Sequence, residues 1–403
     1  MKIICGSAEL CDALKVVSRA VPSRSTLPVI GNALLIAEGE MLQIACTDLE
    51  VGIRTSIPAN IKEGGMITVP AKQLLELVAT LPDDRISISA VETERGDKSA
   101  YDYATHQVHI QCRRAKYRLA GLDANQMPWL PKKEPLAQFH VPQELLRSMI
   151  GVVLPCLATN DNRPHTCCAI MKAGGNQMML AGTDTIRLAI YDSVIDAFDS
   201  SEAYSGHALL TRRTLQEIQH LAVGIPDAIT RVLVDDAHVN FEFQSPRLGN
   251  VHLVARQMEC NYPDVRRMIN QTSPLVIAVD RQELAQLLKR ITIVARDNAN
   301  QLNLTLRSDI LQIDAISIAS EAHEEIGIEI VNSSTLMELP TQFGFNCSYL
   351  VDLCAAFSGE QLLLHIEDPE KPIIFRSSDN QDYLSLAMPL VFKDAADDPY
   401  EEE

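Results

Sequence analysis

The sequence predicts an α+β chain of three tandem similar units, each mostly antiparallel sheet with two helices. Three observations carry this. A strand-then-helix opening recurs at offsets of 135 and 139 residues, a Thr-Asp strand end recurs 136 residues on, and a second helix sits late in each unit. Length agrees, because 403 residues is two to three domains at ~150 residues each.

The openings are Lys2–Cys5, Gln138–Val141 and Leu275–Val279. Each runs into a helix marked by a Glu-Leu pair: Glu9-Leu10, Glu144-Leu145 and Glu283-Leu284. Helical spacing puts Leu10, Leu14, Val17 and Val21 on one face of the first helix. Leu145, Met149, Val152 and Cys156 do so in the second, and Leu284, Leu288, Ile291 and Ala295 in the third. Ser7 and Asp280 are N-cap candidates. Lys15 and Arg19 lie opposite the apolar stripe of the first helix, and Lys289 opposite that of the third.

The second landmark is the strand Leu42–Asp48, matched by Met179–Asp184 and, more weakly, by Leu311–Asp314. The second helices are read at Ala71–Leu81, Arg212–Val223 and Cys347–Phe357. Alternating strands follow at Arg85–Ala90, Arg231–Phe243, Gln361–Ile366 and Ile373–Ser377. Pro-bearing joints separate the units, giving domains at 1–131, 138–270 and 275–392, with an acidic tail at 393–403.

Composition sets limits on function. Apolar residues are 46% and charged residues 22%, which excludes a disordered chain, and Gly and Pro are too few for a collagen-like one. No apolar run approaches the ~20 residues of a membrane span, and the N-terminus lacks a signal-peptide core, so the expectation is a cytoplasmic protein with no membrane partner. The ten cysteines are scattered, without CxxC, and read as buried reduced thiols. The net charge of -18 argues against broad nucleic-acid binding, so any such contact must use a local basic surface.

Catalytic signatures are missing. There is no phosphate-binding GxxxxGK[ST], GxGxxG, HExxH or GxSxG. His106 and His109 fall on opposite faces of a strand, as do the adjacent Cys167 and Cys168. Asp83-Asp84 and Asp235-Asp236 read as solvated turns. The expectation is therefore no catalytic residue, no metal and no cofactor.

Six segments in order resemble the bacterial DNA polymerase III beta subunit family, the sliding clamps. They are Arg24-x-Thr26-Leu27-Pro28-Val29-Ile30-Gly31-Asn32, Thr47-Asp48-Leu49-Glu50, Thr183-Asp184-Thr185-Ile186-Arg187-Leu188-Ala189, Tyr262-Pro263-Asp264-Val265-Arg266-Arg267, Phe345-Asn346-x-Ser348-Tyr349-Leu350 and Met388-Pro389-Leu390. The resemblance spans Met1 to about Phe392. It implies a processivity factor without chemistry of its own: a head-to-tail homodimer closing a six-domain ring, with sheets outside and helices inside, around double-stranded DNA. A sliding contact must be electrostatic and independent of base sequence. Its candidates are Lys15, Arg19, Arg24, Lys72, Arg147, Arg212, Arg213, Lys289 and Arg290.

The resemblance also implies a pocket between the second and third domains. It would take short hydrophobic peptides from the replicative polymerase, the clamp loader, repair polymerases and ligase. Its lining carries over to Thr183, Arg187, Leu188, Pro263, Arg267, Met268, Asn346, Tyr349, Pro372, Met388, Pro389 and Leu390. The ring joint carries over to Arg114, Lys116, Tyr117 and Leu119 on one side and Ile293, Val294, Glu324 and Glu325 on the other.

Several positions depart from the family. Thr185-Ile186 stands where the family often has Gly-His, and Thr166 where it usually has an aliphatic residue. Pro164 and His165 replace aromatics of some members, the 92–107 hairpin is longer, and the acidic tail is added, a segment tethered near the pocket and able to screen it. An alternative reading is a clamp-like protein-binding scaffold not loaded on DNA.

Overall fold

The computed structural model describes residues 1–92, 106–128, 133–202, 204–223, 225–269, 275–333 and 340–390. The acidic tail, most of the 92–107 hairpin and the joint residues 129–132 and 270–274 lie outside the described residues. Within them are six α-helices: α1 (Ser7–Val17), α2 (Ala71–Thr80), α3 (Gln143–Val153), α4 (Arg212–Leu221), α5 (Arg281–Ala295) and α6 (Cys347–Ala356). Each begins at the residue after a strand: Lys2–Gly6, Gly65–Pro70, Ala137–Pro142, His207–Thr211, Leu275–Asp280 and Thr341–Asn346. A strand that turns directly into a helix is thus the repeated building block.

Polar caps make that junction at α4, α5 and α6, whereas α1 and α2 follow Gly6 and Pro70 without a side-chain cap. The Thr211, Asp280 and Asn346 side chains accept hydrogen bonds from the backbone N–H of Thr214, Glu283 and Ser348. The Asp280 cap is the one expected. Ser7 is not a cap but the first helical residue of α1. Its hydroxyl donates to Pro82 O and accepts from Asp84 N, both at 3.0 Å, so it fastens α1 to the turn after α2.

The apolar stripes of α1 and α5 are buried, from Leu10 to Val17 and from Leu284 to Ala295. Val21 falls outside α1, because the helix ends at Val17 and a 3-10 turn, Ser18–Ala20, follows. In α3 the buried face runs through Leu146, Met149, Ile150 and Val153, and Leu145 is only half-buried. Val152 and Cys156 are buried too, so of the expected stripe only Leu145 is displaced, by its neighbour Leu146. Asp235 also departs from the solvated turn expected. It is buried, and its Oδ1 accepts from Ala237 N and His238 N to close the turn between Ile229–Val234 and His238–Ser245. All ten cysteines are free thiols, and only Cys167 and Cys260 are not fully buried.

Contacts group the chain into two compact units. The first comprises Met1–Arg147, Gly174–Asn176 and Ile195–Met258. It holds a five-stranded sheet ordered Asn60–Glu63, Lys2–Gly6, Arg85–Glu92, His106–Cys112, Ala115–Gly121. It also holds a nine-stranded sheet that crosses from the second repeat into the first where Gly249–Arg256 pairs antiparallel with Val51–Pro58. Three ion pairs reinforce that crossing: Arg19–Glu217 at 2.6 Å, Arg213–Asp48 at 2.8 Å and Arg247–Asp12 at 3.0 Å.

The second unit comprises Ser148–Ala173, Gln177–Val194 and the described part of Glu259–Glu403. Its sheet crosses from the second repeat into the third where Arg187–Val194 pairs antiparallel with Tyr383–Ala387. The order then runs Ile373–Ser377, Gln361–Ile366, Leu275–Asp280, Glu321–Ser333, Ile310–Ile316, Gln301–Leu306 and Thr341–Asn346. No described helix is long and apolar enough to cross a membrane.

Candidate functional site

The site in the second unit is built around one turn. Thr183 Oγ1 donates to Arg187 O at 2.6 Å and accepts from Thr185 N, while Asp184 Oδ1 accepts from Ile186 N and Arg187 N. The same turn occurs in the first repeat. There Thr47 Oγ1 bonds Val51 O and Leu49 N, and Asp48 Oδ1 accepts from Glu50 N and Val51 N. The central residues Leu49 and Thr185 share a φ of 77°. A Thr-Asp pair is therefore local chemistry: two short side chains replace the amide partners that a left-handed residue cannot provide. A Cβ at Gly182, just before the turn, would come within 2.5 Å of Leu157 Cδ2 and 2.8 Å of Val153 Cγ1, so those side chains would have to shift.

Thr185 holds this φ as a β-branched residue, which is costly. Its hydroxyl offsets part of that by accepting from Arg163 Nη1 at 3.3 Å. Arg163 is held in turn by Asp161, whose carboxyl it lowers to about 2 through their hydrogen bonds. We expect Thr185→Gly to stabilise the protein by about 1 kcal/mol, a rise of roughly 2 °C in Tm by thermal unfolding. An unchanged or lower Tm would show that the turn carries no strain.

The turn delivers Arg187 into a cleft lined by Val152, Pro155 and Cys156 at the end of α3, by Tyr349, Asp352, Leu353 and Ala356 of α6, and by Ser385–Ala387. The Arg187 guanidinium lies over the Tyr349 ring, 4.2 Å from its centroid. Its Nε donates to Asp184 Oδ2 at 3.0 Å and its Nη1 to Asp352 Oδ2 at 2.8 Å. The arginine side chain is only 13% exposed. Burial pushes the Cys156 thiol up to about 12 and also raises the Tyr349 phenol. In this arrangement the cleft keeps about 10 Å³ of free space, the lower limit for one water. Arg187 is thus a latch across an apolar groove.

Other expected pocket residues take defined places. Leu188 pairs with Leu386 in the ladder, Met388 N donates to Ile186 O, and Leu390 N donates to Gly344 O. Pro372 precedes Ile373, which pairs with Ala387, and so stands beside Met388. Pro389 is buried. Asn346 is the N-cap of α6 rather than an open lining group. Pro263 is half-buried, and Tyr262 beside it places its hydroxyl within reach of Cys168 O and Ala181 O. Met268 and Arg267 are exposed, and Arg267 pairs with Asp264 at 3.1 Å. Thr166 is fully buried and its hydroxyl donates to Arg163 O, which lets a threonine fill an aliphatic position. Asp352 escaped the sequence reading. Its signal was the Tyr349-x-x-Asp352 spacing, which puts both on one face of a helix.

Eight of the nine expected cations divide into two groups, and Arg212 stands apart from both. Lys15, Arg24, Lys72, Arg147 and Lys289 are exposed, Lys15 lying 3.4 Å from Asp12. Arg19 and Arg213 are engaged by Glu217 and Asp48, and Arg290 by both oxygens of Glu324 at 2.6 and 2.7 Å. Arg212 is half-buried at the start of α4.

Two of the open strand edges carry the residues expected at the ring joint. Ala115–Gly121 pairs only with His106–Cys112, and exposes Lys116, Tyr117 and Arg118 after Arg113 and Arg114, with Leu119 half-buried. Glu321–Ser333 pairs along residues 321–327 with Ile310–Ile316, while its other neighbour, Leu275–Asp280, covers only 328–333. The open half carries Glu321, His323, Glu324 and Glu325, and Asp314 at 2.6 Å holds the His323 pKa up. Ile293 of α5 is 70% exposed and Val294 half-buried.

Residues 1–131 match the family described as DNA polymerase III beta subunit, N-terminal domain, and residues 266–391 match its C-terminal domain. The beta sliding clamp of Synechocystis is 29% identical over 97% of this chain and 99% of its own. That of Pseudomonas aeruginosa is 26% identical over 94% and 97%. Among solved structures, the P. aeruginosa DNA polymerase III subunit beta superposes with a TM-score of 0.84 at 24% identity, over 97% of this chain and 100% of that one. The Thermotoga maritima subunit gives 0.82 at 22%, again over 97% and 100%. Fold and matches together define a sliding clamp, a non-catalytic accessory subunit of a DNA polymerase. The chain belongs to the DNA polymerase III beta subunit family, and its function is that of the polymerase's processivity subunit.

Proposed function

We propose that two copies of the chain join head to tail into a six-domain ring, that this ring encircles double-stranded DNA in the cytoplasm, and that the Arg187 cleft holds its protein partners. The observation that carries the reading is the complementarity of two of the open edges. One is basic, with Arg114 and Lys116, and the other acidic, with Glu324 and Glu325. An unpaired strand edge invites a partner strand, and opposite charge sets its register and identity. Tyr117, Leu119, Ile293 and Val294 supply apolar surface to such a joint. A heterologous contact of this kind closes only when the rotation fits.

In the ring each of the three tandem units contributes two helices to the inner wall and its sheet to the outer wall. Lys15, Arg24, Lys72, Arg147 and Lys289 then meet phosphates, with Arg212 at the start of α4. Arg19, Arg213 and Arg290 serve first to hold the frame, so their DNA contacts are secondary. Replicative polymerase, clamp loader, repair polymerases and ligase dock through hydrophobic peptides at Arg187, Leu188, Tyr349, Pro372 and Met388, with Pro263 and Met268 at the margin. Sedimentation equilibrium tests the ring: a species of twice the 44.5 kDa chain mass is expected, and a monomer at micromolar protein would refute the joint.

A further inference from the structure

A second cavity, of about 220 Å³, lies in the first unit on one face of the nine-stranded sheet. Register explains it. His140, Arg231, Glu242, His252 and Arg54 form one row across five neighbouring strands. The next row along carries Leu233, Asn240, Val254 and then Gly52, which has no side chain. The gap beside Gly52 leaves a hollow with an apolar floor of Leu233 and Val254, walled by Pro135.

The polar groups around this hollow are incompletely matched. Arg54 has no ion-pair partner among the described residues, and its Nε is buried without a hydrogen bond. Arg231 donates from Nη2 to Gln138 Oε1 at 2.8 Å, its Nη1 reaches Glu242 only at 3.6 Å, and Glu242 is shared with His252 at 3.7 Å. Lys133 is occupied by Asp236 at 2.7 Å. Asp235 also lines the hollow and is 97% buried, since only 3% of it is exposed. Its Oδ1 serves the turn amides, but its Oδ2 is buried with no partner. A half-buried guanidinium whose Nε lacks a partner and a buried carboxylate with one unpartnered oxygen therefore border one small hollow with an apolar floor. Buried polar atoms without partners carry a desolvation cost that a ligand would relieve.

We propose that this hollow is a binding site for a small zwitterion of the aliphatic α-amino-acid class. The ligand carboxylate would pair with Arg54 and Arg231, its ammonium with Asp235 Oδ2 and Glu242, and its side chain would lie on Leu233 and Val254. Bidentate recognition of a carboxylate is what guanidinium groups do best. The site is separate from the Arg187 cleft and does not depend on ring closure.

The test is isothermal titration of the full chain with L-leucine, N-acetyl-L-leucine and L-leucinamide. The two derivatives each keep one charge. N-acetyl-leucine also stands for a C-terminal chain end, and leucinamide for an N-terminal one. L-Leucine is expected to bind saturably and at least tenfold more tightly than either derivative. Arg54→Gln and Asp235→Asn should each weaken it at least tenfold, with unchanged Tm as the check on folding. Tighter binding of N-acetyl-leucine would overturn the zwitterion assignment in favour of a protein C-terminus, and leucinamide likewise for an N-terminus. No saturable heat up to 20-fold above millimolar ligand, or equal affinity in Arg54→Gln, would refute the site.

Discussion

Arg114→Glu combined with Lys116→Glu is expected to raise the dimer dissociation constant by about two orders of magnitude. Each reversal turns an attraction with the acidic edge into a repulsion, worth roughly 1–2 kcal/mol at a partly exposed interface, and two together approach 3 kcal/mol. The acidic edge supplies Glu324 and Glu325, of which Glu324 is already shared with Arg290. Restoring opposite charge with Glu324→Lys and Glu325→Lys on the same chain should recover part of the dimer. Sedimentation velocity across a concentration series reads both effects. A dimer unmoved by the double reversal would place the joint elsewhere.

The second large effect is a pair of opposite signs at one cleft. Arg187→Ala should weaken a labelled hydrophobic clamp-binding peptide at least tenfold, because Asp184 and Asp352 then face an apolar groove without a counter-charge and the arginine stem no longer covers it. Asp352→Asn should strengthen the same peptide about threefold. It removes one tie on Arg187 and lowers the cost of opening the latch, a modest gain because the aspartate is 44% exposed. Fluorescence anisotropy distinguishes them. Equal weakening by both variants would mean that Asp352 contacts the peptide and does not restrain the latch.

Much of this was legible in the sequence, and the reasons are local. The strand-then-helix junctions into α4, α5 and α6 follow from short alternating runs ending in polar caps, so Asp280 could be named as a cap from its position alone. The Thr183-Asp184 turn was visible because its hydrogen bonds are made within five residues and because the first repeat writes the same Thr47-Asp48 pair. What the sequence hid depends on distance along the chain. Arg19 and Arg213 read as cations available to DNA, yet partners 198 and 165 residues away neutralise them. Arg187 and Asp352 are likewise 165 residues apart and meet only through the pairing of Arg187–Val194 with Tyr383–Ala387 and the seating of α6. In α3 only the first position of the stripe was missed, because Leu145 and Leu146 are adjacent and equally apolar, so only packing chooses between them. The buried state of Asp235 was missed because Asp at a turn is usually solvated.

The central claim is a closed ring that slides on DNA. The most direct measurement loads the protein with a clamp loader onto singly nicked circular duplex DNA, isolates the complex by gel filtration, and then linearises the circle with a single-cutting nuclease. The contact expected from Lys15, Arg24, Lys72, Arg147 and Lys289 is electrostatic and without base readout, so topology rather than affinity must hold the protein in place. Co-elution with the circle in moderate salt and release within minutes of linearisation are expected. Retention on linear DNA with free ends, or failure to co-elute with the circle at all, would contradict the closed, sliding ring.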